Sequence, residues 1–172
     1  MMNEMKIVLA AALIVVVSGL SFAQELSVEK EFEKNKPRLA LEKFSVGEDA
    51  TSGYDYLVYT DKSSVVKLRS IWSSSTGIQS RVEDYYFKDG ILFLYVRMLA
   101  ENRNLKPLVR GQNVPLTVEE KLYLKDSKLA AWIEKRKTIP STDARWSNKE
   151  KEVLEMAKAE LDNYQSMKAE NK

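Results

Sequence analysis

Three adjacent acidic pairs, Glu48-Asp49, Glu83-Asp84 and Glu119-Glu120, are the residues of this chain best suited by type to acid–base work. Two carboxylates held about 5–10 Å apart across a glycosidic bond can cleave it. Glu83 and Glu120 occupy equivalent positions of an internal repeat, so they form the candidate couple of a carboxylate-based hydrolase. Against this, adjacent residues of a strand point to opposite faces, which splits each pair. The ordinary role of such acids is to solvate a strand edge or face. Ser-x-x-Lys, the spacing that sets a lysine beside a nucleophilic serine in penicillin-recognising enzymes, occurs at Ser27–Lys30 and Ser64–Lys67. With 16 serines and 19 lysines, about two such matches arise by chance. The companion Ser-Asp-Asn and Lys-Thr-Gly motifs are absent from the sequence. Lys135-Arg136-Lys137 beside Trp132 suits an anionic envelope polymer or lipid head group, but three charges attract weakly, and the run reads as a solvated connector.

The 172-residue chain contains no cysteine and no histidine. That removes disulfides, thiolate nucleophiles, cysteine-based metal sites and lipid anchoring at an N-terminal cysteine. It also removes the usual general base, the Ser-His-Asp triad and imidazole ligands. There is no glycine-rich phosphate loop and no calcium-loop spacing. The sequence therefore assigns no catalytic residue, no metal and no cofactor. The 27 basic and 25 acidic residues give a net charge of +2, too balanced for a nucleic-acid binder or a general membrane-surface binder.

The N-terminus reads as an address. Ile7 to Val17 is an unbroken apolar run of 11 residues, followed by Ser18-Gly19 and then Ser21-Phe22-Ala23. Small residues at Ser21 and Ala23 fit a signal-peptidase site, with cleavage between Ala23 and Gln24. Initiation at Met5 instead of Met1 gives a cleaner basic start, because Glu4 is then excluded. Residues 1–23 are expected to be a signal peptide and 24–172 a single exported domain, periplasmic or secreted. Membrane contact is then confined to the signal segment before cleavage.

The mature chain reads as α+β. Leu26, Val28 and Phe32 in a charged background give a short amphipathic helix from Glu25 to Lys36, stopped by Pro37. Arg38 to Ser45 alternates as a strand does. Further strands are expected over Tyr54–Tyr59, Val65–Trp72, Ile78–Phe87, Ile91–Leu99, Val118–Leu124 and Leu129–Glu134. Asp89-Gly90 is a strong hairpin signal, since both residues tolerate the positive φ of a type I′ turn. Ala100 to Leu116 is a long loop, and Lys135 to Arg145 a polar connector. Ser147 with Glu150 forms a capping box for a helix to about Lys168, striped by Leu154, Ala157, Leu161 and Tyr164.

Tyr86-Phe87-Lys88-Asp89-Gly90-Ile91-Leu92 aligns with Tyr123-Leu124-Lys125-Asp126-Ser127-Lys128-Leu129 at a constant offset of 37 residues, and Tyr54 to Leu68 is a looser third copy. Consecutive hairpins make an antiparallel meander. The fold expected is a curved antiparallel β-meander of about six strands, with an N-terminal and a longer C-terminal helix packed on one face. Tyr85, Tyr86, Phe87, Gly90 and Leu92, then Tyr123, Lys128, Leu129, Trp132 and Ile133, resemble a repeated hairpin in small uncharacterised exported proteins of bacteria. The resemblance covers about a third of the chain. It implies an exported α+β domain and no activity.

Two-residue loops at Asp89-Gly90 and Asp126-Ser127 set an expected register. Phe87 faces Leu92, Tyr85 faces Leu94 and Glu83 faces Val96 on a mostly aliphatic side, joined by Leu122, Leu124, Leu129, Ala131 and Ile133. The other side gathers Tyr86, Phe93, Tyr95, Arg97, Tyr123 and Trp132. Tyr, Trp and Arg are enriched at binding hot spots, which makes these six the candidate binding residues. A register error of one residue exchanges the two faces. The functional expectation is a non-catalytic binding domain of the bacterial envelope, taking an envelope protein or glycan and acting as a monomer or weak dimer. The alternatives are an inhibitor of a cell-wall hydrolase and the carboxylate-based hydrolase.

Overall fold

A computed structural model of the chain describes residues 28, 30–46, 53–73, 79–101 and 115–171. The expected signal peptide with its Ala23/Gln24 junction, the pair Glu48-Asp49 and most of the long loop (102–114) lie outside those residues. The chain divides into two compact units, Met1–Leu39 and Ala40–Lys172. In the first, residues 30–35 form helix α1, followed by a 3-10 turn over Lys36–Arg38. Pro37 stands inside that turn, where its fixed φ fits and its missing N–H costs nothing. Lys36 pairs with Glu33 at 3.2 Å and lies over the Phe32 ring.

The second unit is an eight-stranded antiparallel sheet crossed by one helix. The strands are β1 (Ala40–Val46), β2 (Gly53–Asp61), β3 (Ser64–Ser73), β4 (Gln79–Lys88), β5 (Ile91–Glu101), β6 (Thr117–Lys125), β7 (Lys128–Glu134) and β8 (Lys137–Ile139). They pair in chain order, which leaves β1 and β8 as edges. Helix α2 covers Trp146–Glu170. Eight strands replace the expected six or so. β1 comes from the alternating Arg38–Ser45 segment. β8 lies in what the sequence presents as connector, because Lys135 and Arg136 both take positive φ and close a tight hairpin. Lysine and arginine are poor signals for such a turn, where Asn and Gly prevail.

The turns are tight, as expected, but the register is not the simple one. In β2–β3, Tyr59 pairs with Lys67 and Thr60 with Val65, so Val66 is an extra residue. In β4–β5, Tyr86 pairs with Leu94 and Phe87 with Leu92, leaving Phe93 extra. In β6–β7, Tyr123 pairs with Ala131 and Leu124 with Leu129, leaving Ala130 extra. Each bulge turns the remainder of the return strand over, because side chains alternate with period two. Leu92 and Leu129 keep their expected side. Leu94, Val96, Ala131 and Ile133 pass to the outer face, and Tyr95, Arg97 and Trp132 pass to the face under α2.

The core therefore lies between α2 and a face lined by Val58, Leu68, Tyr85, Phe87, Tyr95, Leu122, Leu124 and Trp132. Val153, Ala157 and Tyr164 are the buried residues of α2, at i, i+4 and i+11 on one helical stripe, flanked by Leu154 and Leu161. The helix starts over β7, where Glu150 accepts the Leu129 N–H at 2.7 Å. It ends over β1, where Lys168 donates to Glu42 at 2.7 Å and Tyr164 packs edge-on against Phe44. Six strand intervals span about 29 Å and 25 helical residues about 37 Å, so one helix reaches across. The expected capping box does not form: no side chain caps the helix, and Glu150 is used to tie β7 instead.

The outer face carries its own buried polar cluster. Asp84 accepts from Arg69 Nε at 2.6 Å and from a second guanidinium nitrogen at 2.7 Å, and Lys67 lies 2.8 Å from the same carboxylate. Lys67 also donates to the Tyr86 hydroxyl at 2.7 Å. Lys67 and Asp84 are both buried. Breaking a buried pair strands a charge and typically costs about 3–5 kcal/mol, whereas an apolar replacement of both partners can be neutral. Asp84→Asn is expected to lower the unfolding free energy from urea titration by an amount in that range, and Lys67→Met/Arg69→Leu/Asp84→Leu, which replaces the whole cluster, to recover most of it. An unchanged unfolding free energy in Asp84→Asn refutes the pair.

Candidate functional site

Cross-strand pairing arranges the α2-facing residues in three parallel rows. The first, Val58–Leu68–Tyr85–Tyr95–Leu122–Trp132, is the apolar centre. The second, Tyr56–Ser70–Glu83–Arg97–Glu120–Glu134, is polar. The third, Val46–Tyr54–Trp72–Arg81–Leu99, lies nearest the strand ends that lead into residues 47–52, 74–78 and 102–114. The opposite strand ends close in tight turns at Lys62-Ser63, Asp89-Gly90 and Asp126-Ser127. The three longer strand-to-strand connections thus leave one end of the sheet, the kind of place where binding residues concentrate on a rigid scaffold.

The second row is a buried chain of charge and hydroxyl. Glu83 accepts from the Tyr95 hydroxyl at 2.8 Å and the Tyr85 hydroxyl at 3.3 Å, and Arg81 lies 3.5 Å from it. Burial pushes the Tyr85 and Tyr95 phenols up, and the Glu83 charge adds to both shifts. Glu120, 1% exposed, is met by Arg97 at 3.2 Å and by Lys149 of α2 at 3.4 Å. Burial pushes the Glu160 carboxyl of α2 up and the neighbouring Glu83 charge pushes it the same way, while the adjacent polar side chains of Tyr56, Ser70 and Asn163 pull it down. Its Oε2 has no hydrogen-bond partner among the described residues. Among the described residues no acidic cluster is placed to hold a metal ion.

The sequence places Glu83 and Glu120 on one face, and they do share one. Arg97 stands between them in the row, so their backbones are two strand spacings apart, about 10 Å. Both side chains are buried and committed to cations and hydroxyls.

The six expected binding residues do not form one surface, for the reason the bulges give. Tyr95 and Trp132 are each 1% exposed and belong to the core under α2. Trp132 is packed by Trp146 at 6.2 Å and by the Arg145 guanidinium at 4.8 Å, so it docks the helix. Arg97 shares their face, tied to Glu120. Tyr86 and Tyr123 lie on the outer face and are buried there, and Phe93 occupies the bulge 6.5 Å from Tyr86. Ser64 and Lys67 are not a nucleophile and its base, since Lys67 is engaged by Asp84 and Tyr86.

At this end of the sheet the partly exposed residues with recognition chemistry are Tyr54, Trp72 and Arg81, none of which the sequence singles out. Tyr54 is 37% exposed and stacks on Tyr56 at 6.3 Å, and the Arg81 guanidinium lies 5.8 Å from the Trp72 ring. Val46 beside Tyr54 is 49% exposed. Their signal in the sequence is positional: each lies within a few residues of a long connection, while the aromatics of the repeat lie near tight turns. Comparison with family models, with curated proteins and with solved structures finds no match.

A carboxyl whose folded pKa is raised binds its proton more tightly in the folded state. Its penalty is present above the raised value and disappears as pH falls toward the ordinary range. The Glu160 contribution should therefore become more favourable to the folded state as pH falls from neutrality toward the ordinary carboxylate range. Glu160→Gln is expected to raise the melting temperature at that starting pH and to flatten the gain. A Glu160→Gln protein less stable than the parent there contradicts the assignment.

Proposed function

We propose that the protein is a non-catalytic exported domain of the bacterial envelope that binds an envelope protein or glycan through the Tyr54–Trp72–Arg81 row. The observation that carries this reading is the row itself. Two aromatics and an arginine stand in directly paired positions on three adjacent strands, more exposed than the rows behind them. Tyr, Trp and Arg contribute large contact area and directed hydrogen bonds at hot spots. The paired, buried state of Glu83 and Glu120 favours binding over hydrolysis, because an acid–base couple has to reach its substrate.

Export is supported by the apolar run Ile7 to Val17 ahead of Ser21 and Ala23. Among the described residues no helix is long and apolar enough to cross a membrane. The mature protein recovered from cells is expected to begin at Gln24. An N-terminus at Met1 or Met5 on the accumulated protein overturns export by cleavage.

The binding site is tested by capture from a solubilised envelope extract on the immobilised mature chain. Tyr54→Ala and Trp72→Ala should each reduce recovery of a wild-type-specific partner by about tenfold, near 1.4 kcal/mol. Both residues are at least partly exposed, so the melting temperature should stay close to that of the parent. Recovery of the same partners at the same yield by both variants removes the row from the site.

A further inference from the structure

We infer that the Tyr54–Trp72–Arg81 row is a subsite for a sugar ring bearing a carboxylate. This rests on the binding role proposed above and names the chemistry of its ligand. Arg81 carries the charge argument. Its side chain is 42% exposed, its Nε is buried without a hydrogen bond among the described residues, and its ion pair to Glu83 is long at 3.5 Å. Glu83 is already engaged by the hydroxyls of Tyr95 and Tyr85. The guanidinium is thus held beside Trp72, 5.8 Å from the ring centre, and Glu83 satisfies it only at long range. A planar fork of donors held in that way matches a carboxylate bidentately, which a lysine ammonium does not do.

The geometry of the row selects a ring over a peptide strand. Tyr54 pairs with Trp72 and Trp72 with Arg81, so the row runs across three strands at right angles to them. Neighbouring positions are one strand spacing apart, about 4.8 Å, which is ring-sized. Strand addition needs an open sheet edge, and β2, β3 and β4 are all interior strands. Tyr54 is backed by Tyr56 with an interplanar angle of 20°, which holds its ring as part of a shelf. An occupant that is flat, apolar on one face and anionic at one end meets the two aromatics and the arginine together.

The test titrates the full mature chain with tri-galacturonate, with neutral chitotriose and with an acidic tetrapeptide, read by calorimetry and by tryptophan fluorescence. Saturable binding of tri-galacturonate is expected, at least tenfold tighter than chitotriose or the peptide. Trp72→Ala and Arg81→Gln should each weaken it at least tenfold. Arg81→Lys keeps the charge and removes the fork, and should weaken it as well while melting at the parent temperature. Absence of saturable binding, equal binding of chitotriose or of the peptide, or unchanged affinity in Arg81→Lys overturns the inference. If tri-galacturonate fails while Trp72→Ala still loses its envelope partner, the ligand chemistry is wrong and the binding role stands.

Discussion

One extra residue follows the turn in each of the three tight hairpins β2–β3, β4–β5 and β6–β7, and the rest of the molecule is arranged by it. Val66, Phe93 and Ala130 occupy the same place, after the pairs Thr60–Val65, Phe87–Leu92 and Leu124–Leu129. The tyrosine before each shift, Tyr59, Tyr86 or Tyr123, then pairs with Lys67, Leu94 or Ala131 on the outer face. A bulge sharpens the local twist of a strand pair. Repeated at the same level in every second connection, it also fixes which face of every return strand meets α2. A fourth shift at Glu119 lies at the other end, where the Glu119 carbonyl accepts the Lys135 N–H at 2.8 Å and so anchors the β7–β8 turn.

That device explains what could be read from residues alone. The outgoing strands were legible: Glu83, Tyr85 and Phe87 do share a face with Leu122 and Leu124, and Tyr86 and Asp84 do share the other. Asp89-Gly90 announces its turn because its residues tolerate positive φ. The return strands were not legible. An alternating strand carries the same pattern with or without one extra residue. Val66 beside Val65, or Phe93 between Leu92 and Leu94, gives no hint of which residue is the insertion. The candidate site suffered most. Tyr95 and Trp132 look like surface aromatics in the unshifted register and are core in the real one. Tyr54, Trp72 and Arg81 come together only through pairing across three strands, which no local pattern encodes.

The polar row beneath α2 has a physical cost and a corresponding use. Burying Glu83 and Glu120 is unfavourable unless each finds partners: Glu83 accepts from the Tyr95 and Tyr85 hydroxyls, whereas Glu120 has the Arg97 and Lys149 charges beside it but no hydrogen bond among the described residues. An apolar row of similar volume could be as stable. What the charged row adds is position. Lys149 has to sit over Glu120 and Glu160 over Tyr56 and Ser70, so the helix is fixed in rotation and in translation. These contacts add to the anchors at the two ends of the helix, Glu150 on β7 and Lys168 on β1. The same contacts keep the exposed third row in a defined relation to the polar second one.

The path of α2 also sets an order of assembly. Each hairpin of the sheet joins residues close in sequence, and contacts of that kind form quickly as a chain lengthens. The helix is different. Tyr164 and Lys168 meet Glu42 across separations of 122 and 126 residues. A chain emerging N-terminus first can zip its strands in turn, but the apolar face from Val58 to Trp132 stays uncovered until the last element arrives. Until then the growing chain presents a nearly complete sheet without its lid. Truncation within the final turns of α2 would leave that same open sheet as the end state.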